Sequence, residues 1–136
     1  MSLQFSVSVR NAMLDAIETT AGTSAVIKIR TGAPPATCAT ADSGTVLATI
    51  SLASDWMSAA SAGAKSLSGL PVSDTSADNT GTAGHYRLYA SDGTTCHAQG
   101  TVTLTGGGGD MTIDNTTIVS SQAVNITSKT LTDGNA

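Results

Sequence analysis

Aromatic residues are nearly missing from this chain: one Trp, one Phe and two Tyr in 136 residues. That scarcity leaves too few rings for a base-stacking surface or an aromatic sugar platform. The core must be built from Val, Ile, Leu, Met and many Ala, each bringing less apolar area than a ring. Stability in isolation is therefore expected to be modest, with a partner or self-association adding to it. Charge is scarce too, at 12% of residues against about 25% in an average domain. Ser and Thr supply the polar surface instead. The net charge is −4, and no Lys/Arg cluster offsets it, which argues against nucleic acid as a direct partner. No apolar run approaches the roughly 18 residues of a transmembrane helix, so no membrane partner is expected. Met1 to Phe5 lacks a basic start and a hydrophobic signal core. Synthesis in a reducing cytoplasm is the expectation, with Cys38 and Cys96 as free thiols.

What is present reads as one domain over residues 1–136. Residues 6–20 carry the single helical pattern. Val9, Ala12, Met13, Ala16 and Ile17 recur at three- and four-residue spacing, a face expected to pack on the sheet, with Asp15 and Glu18 on the polar side. Ser6 or Ser8 is placed to cap the start, and Gly22 follows the end. From Ser24 the pattern is β. Ala25–Arg30 alternates, with Ile27 and Ile29 inward and Lys28 and Arg30 outward. Gly32 to Ala36, with two prolines in a row, breaks the ladder. Thr45–Leu52 is a second strand, and a short one is expected around Ala64–Leu67. Ser73 to Gly81 is a polar loop dense in turn formers. His85–Ala90 ends at Asp92-Gly93, a hairpin signal, and Thr95–Leu104 returns. Gly106 to Gly109 then lead into Asp110–Ile118, read as a closing hairpin, and Ala123–Leu131 is the last strand. The fold class is mostly β: a β-sandwich or jelly roll of about seven or eight strands with one N-terminal α-helix.

No candidate chemistry survives its geometric requirements. His85 and His97 are placed to face each other across the Asp92-Gly93 hairpin, but a metal site needs three or four ligands. Cys96 points to the opposite face from its neighbour His97, which removes both a third ligand and a Cys-His catalytic pair. The glycine run is not a phosphate loop, because Asp110-Met111-Thr112-Ile113 follows it in place of Lys-Ser/Thr and a helix. Asp110 and Asp114 share a strand face with no cleft for glycosidase work. Catalytic, cofactor and metal residues are therefore expected to be none.

Several segments together resemble a family of small tailed-bacteriophage virion proteins. They are Val9–Ile17, Lys28–Gly32, Ser73–Asp78 with Gly81-Thr82-Ala83, Gly109–Asn115 and Leu131–Ala136. In size and expected jelly-roll character the chain is similar to the capsid cement (decoration) proteins of short-tailed phages such as the Bordetella phage group. The resemblance implies a structural protein on the capsid exterior, bridging capsomers of the major capsid protein, with itself as a further partner in dimers or trimers. The rival expectation is a tail- or fibre-associated module that binds carbohydrate. The contact surface is expected at Phe5, Trp56, Met57, Asp74, Asp78 and Asn79, with Met1 to Phe5 or the following helix as a clasp on the next subunit.

Overall fold

A computed structural model describes residues 3–132 of the chain. Helix α1 spans Val7–Ala21. Its N-terminus is capped as expected: the Val9 N–H donates to Ser6 Oγ at 3.3 Å. Gly22 ends it at φ +84°, with its own N–H on the Glu18 carbonyl, a backbone setting that suits glycine.

Nine strands follow, against the seven or eight expected, and the expected mostly-β fold with one N-terminal helix is what forms. They are β1 Val26–Thr31, β2 Val46–Ser51, β3 Ala64–Ser66, β4 Val72–Asp74, β5 Gly81–Tyr89, β6 Cys96–Leu104, β7 Met111–Ile113, β8 Thr117–Ile118 and β9 Val124–Thr132. They form one curled sheet, in the order β2-β1-β5-β6-β7-β9-β3, consistent with a sandwich or jelly-roll-like fold. β4 pairs with β9, and β8 pairs with the start of β5. The β5–β6 hairpin turns where expected. Asp92 accepts from the N–H groups of Thr94 and Thr95, and Gly93 sits at φ +69°.

The curl brings the inward side chains into one core: Ile27, Ile29, Ile50, Tyr86, Val102, Met111, Ile113, Ile118, Val124 and Ile126 are all buried. The β2 edge is covered by the end of β4 and the loop after it. Asp74 Oδ2 accepts from the Thr49 N–H at 2.9 Å, and Asp78 Oδ2 from the Thr49 hydroxyl at 2.8 Å. Asn79 Nδ2 donates to the Val46 carbonyl at 2.8 Å, and the Asp78 N–H to the Leu47 carbonyl at 2.7 Å. The turn-rich loop thus occupies backbone groups that an open edge would offer to another chain.

The closing hairpin expected over Asp110–Ile118 does not form. β7 runs parallel to β6, with Val102 opposite Met111 and Leu104 opposite Ile113, while β8 crosses to β5. The chain must therefore fold back beside the strand it has just left, and the four glycines make this possible. A Cβ on Gly107 or Gly109 would lie 2.8 Å from Thr103 Oγ1. Gly106 and Gly108 take φ of +85° and +80°. Close approach and left-handed backbone alternate along the run, and both requirements select glycine. Asp110 and Asp114 are structural: Asp110 Oδ2 accepts from the Thr101 N–H and hydroxyl, and Asp114 is held by Asn125.

The other face of β1, β5 and β6 carries a second, polar core. Lys28 lies opposite Arg87, which lies opposite Gln99. Residues 32–45 cross this face as a strap. Asp42 pairs with both Arg87 and Arg30, the latter at 2.7 Å. It also accepts from the Tyr89 hydroxyl at 2.8 Å. Arg87 donates to the carbonyls of Thr37 and Thr40 as well. Arg87 is 2% exposed and Arg30 7%, so the outward position of Arg30 is not a solvent position. Burial alone would raise the Asp42 carboxyl. The hydrogen bonds from Arg87 and Tyr89 and the two guanidinium charges outweigh it and hold the group below the ordinary carboxylate range.

The strap also corrects the expectation of free thiols. Cys38 on the strap and Cys96 at the start of β6 form a disulfide, with Cα atoms 5.4 Å apart. The packing that seats Asp42 over Arg87 brings the two cysteines into bonding range. The expected His85–His97 pairing fails as well. His85 lies opposite Thr101, and the ladder is irregular where His97 falls. His85 is fully buried, with Nδ1 2.8 Å from the Gly32 carbonyl oxygen.

Candidate interaction surface

Helix α1 is rotated from its expected setting by roughly two fifths of a turn. Its body-facing side is mixed: Leu14 and Ala21 are buried, and a polar series runs beside them. Asn11 accepts from the Gly63 N–H at 2.9 Å, Asp15 from the Ala60 N–H at 3.1 Å and Glu18 from the Met57 N–H at 3.1 Å. The Gly22 carbonyl at the helix end accepts from Trp56 Nε1 at 2.9 Å. These four positions run along one side of the helix, and the 56–63 segment supplies donors at matching heights. Lys65 completes the clamp. Its Nζ lies 2.8 Å from carboxylate oxygens of both Asp15 and Glu18 and donates to the Ser58 carbonyl. Burial would lower the Lys65 ammonium, but the two carboxylates more than offset it and hold the group above its usual value. Gly63 sits at φ +75° against the Arg10 guanidinium, where a Cβ would have no room.

The consequence is an apolar stripe turned outward. Val9, Ala12, Met13 and Ala16, four of the five residues expected to pack inward, are exposed; Ile17 is half-buried. Five of the eight large hydrophobic side chains exposed among the described residues lie between Leu3 and Met13, so the apolar surface is concentrated there and not scattered. Leu3 is 75% exposed, Phe5 40%, Val9 44% and Met13 47%. No charged side chain interrupts the stripe.

The residues expected at a contact surface divide accordingly. Phe5 lies in the exposed N-terminal segment; Met1 and Ser2 of the expected clasp, like the segment 133–136, lie outside the described residues. Trp56 and Met57 are each 3% exposed and belong to the core, Trp56 also tying down the helix end. Asp74, Asp78 and Asn79 are engaged on β2. The structure does not bring these six together. Val9 and Met13 were missed as surface residues because an apolar helical stripe reads as core. The signal that pointed the other way was the equally regular polar series Asn11, Asp15, Glu18.

Among the described residues, no group of three or more His, Cys, Asp or Glu is arranged to hold a metal ion. Nor is any helix among the described residues long and apolar enough to cross a membrane. No family model, curated protein or solved structure matches the chain.

Proposed function

We propose that this protein is a non-enzymatic virion component, a capsid cement protein that binds the outside of a phage head and bridges capsomers of the major capsid protein. The observation that carries the proposal is the helix held by its polar side with Val9, Ala12, Met13 and Ala16 turned outward. A solvated, unpartnered helix gains nothing from that arrangement. A helix that docks onto a neighbouring subunit gains an uncharged apolar contact on a rigid base. Scarce charge, abundant hydroxyls and the sequence resemblance to phage decoration proteins support the same reading. Each copy contributes a small contact, and a shell of many copies multiplies it. The second reading, a carbohydrate-binding tail module, loses ground, because Trp56, Tyr86 and Tyr89 are buried and only Phe5 has a ring on the surface.

The test is addition of purified protein to expanded shells that lack it. Wild type is expected to bind in hundreds of copies per shell and raise the temperature at which shells rupture. Val9→Lys/Met13→Lys should keep the monomer's own stability within about 0.5 kcal/mol, as surface changes do, and lose shell binding. Wild type bound at a dozen copies or fewer, or rupture unchanged by its addition, overturns the cement role. Full shell binding by the double variant overturns the helix as its contact.

A further inference from the structure

Lys28, Lys65 and Lys129 are the only lysines in the chain, and the last two are buried in opposite settings. Lys65 is neutralised by Asp15 and Glu18. Lys129, on β9, is 8% exposed and forms no ion pair among the described residues. Its Nζ reaches only the Asp110 carbonyl oxygen at 3.5 Å and the Tyr86 ring, whose centroid is 4.7 Å away. Burial pushes its ammonium down, and the Asp110 charge offsets this only in part. A desolvated amine without a carboxylate spends more of its time as the free base, the nucleophilic form.

Lys129 and Tyr86, the ring its ammonium faces, line a cavity of about 80 Å³ whose other walls include Ile27, Trp56, Leu88, Ala98 and Leu131. A wider hollow of about 240 Å³ opens beside it, between Met13, Ala16 and Thr20. Ile17 and His97 line both and stand between them. A cavity of about 150 Å³ accepts benzene, so the inner one suits a molecule of about two to four carbons.

We propose that the inner cavity takes a small aliphatic aldehyde, which Lys129 captures reversibly as a Schiff base. The Nζ lone pair adds to the carbonyl carbon, and a proton passes from nitrogen to oxygen to give the carbinolamine. Loss of its hydroxyl with the second nitrogen-bound proton, as water, leaves the C=N bond. No oxidant or reductant is required, and water reverses the step. The apolar walls hold the alkyl tail and keep bulk water from the imine. The proposal is independent of the capsid reading and needs no turnover.

The test is incubation of the full chain with propanal and sodium cyanoborohydride near neutral pH, followed by peptide mapping of the N-propylated amines. Lys129 is expected to be labelled several-fold faster than Lys65, whose ammonium is held by two carboxylates. A bulky aromatic aldehyde should label Lys28 and leave Lys129 untouched. Ala98→Leu, which fills the cavity, should slow labelling of Lys129 and leave Lys28 unchanged. Lys129 labelled no faster than Lys65, or labelled only after unfolding in guanidinium, overturns the proposal. Equal labelling of Lys129 by the bulky aldehyde also overturns it, since that amine would then be reached by local opening.

Discussion

Asp42→Asn tests the polar core under the strap. The change keeps the shape of the side chain and removes the one carboxylate that serves Arg30, Arg87 and Tyr89. Two buried guanidinium groups then lose their counter-charge. Removing one partner of a buried ion pair costs about 3–5 kcal/mol. The Asp42 side chain is 38% exposed, so solvent screens part of the interaction, and about 2–3 kcal/mol is the better expectation. For a domain of this size that lowers Tm by roughly 8–12 °C, read by calorimetry. The same substitution in an Arg87→Met background should cost at least about 1 kcal/mol less, since contacting residues couple. The pH dependence has a definite sign. The folded carboxyl lies below its ordinary value of 3.8, so its contribution is fully present above that value. It is lost as pH falls through the lower, folded value. The gap between wild type and Asp42→Asn should be constant from pH 5 to 7 and close below about pH 4. A Tm change under about 2 °C at pH 7 would mean that the pair behaves as a surface salt bridge and that the buried-core reasoning is wrong.

Three further outcomes are expected. Gly109→Ala places a methyl group 2.8 Å from Thr103 Oγ1 and should cost about 1–3 kcal/mol by overpacking; urea unfolding measures it, and Thr103→Ala in the same chain should recover part of the loss. Cys38→Ser/Cys96→Ser opens a loop spanning 58 residues, worth about 4 kcal/mol in the chain-entropy account. Denaturation of wild type with and without dithiothreitol should reproduce that difference, and no effect of reductant would show that the strap's polar contacts with Arg30, Arg87 and Gln99 hold it without the bond. Glu18→Gln leaves Lys65 with Asp15 as its only carboxylate and should loosen the helix end. Trp56, whose Nε1 donates to Gly22, reports this by a fluorescence change at lower urea than global unfolding.

The elements were legible where the signal is local. Ser6 and Gly22 bracket the helix because caps act within one turn. Asp92-Gly93 marks its hairpin because the Asp side chain binds the turn's own N–H groups. The misreadings all involve partners distant in sequence. Arg30 reads as an outward strand residue, but the strap lies over it and Asp42 pairs with it. Cys38 and Cys96 were weighed by redox compartment, whereas the close approach of strap and β6 brings them together. Asp110–Ile118 after the glycine run reads as a hairpin because Asp114-Asn115 supplies turn residues between two short apolar stretches. Its parallel return depends on Thr103 filling the space that side chains at 107 and 109 would need.

The helix is the most consequential of these misreadings. The usual inference sends the apolar face of an amphipathic helix to the core because burial there is worth about 25 cal/mol per Å². Here the surface that receives the helix is a loop whose backbone N–H groups at Met57, Ala60 and Gly63, together with the Lys65 ammonium, present donors. An apolar face set against them would strand four donors at about 1–3 kcal/mol each, more than Val9, Met13 and two alanines return on burial. Leu14 and Ala21 still reach the core, the polar series takes the rest of the inner side, and the stripe of Val9, Ala12, Met13 and Ala16 is left on the outside. Exposure of that stripe follows from the donors beneath the helix, so a partner that covers it need not unfold or rotate anything. Covering the stripe is then a rigid-body event, and its strength should follow the apolar area of residues 9, 12, 13 and 16 with little dependence on salt.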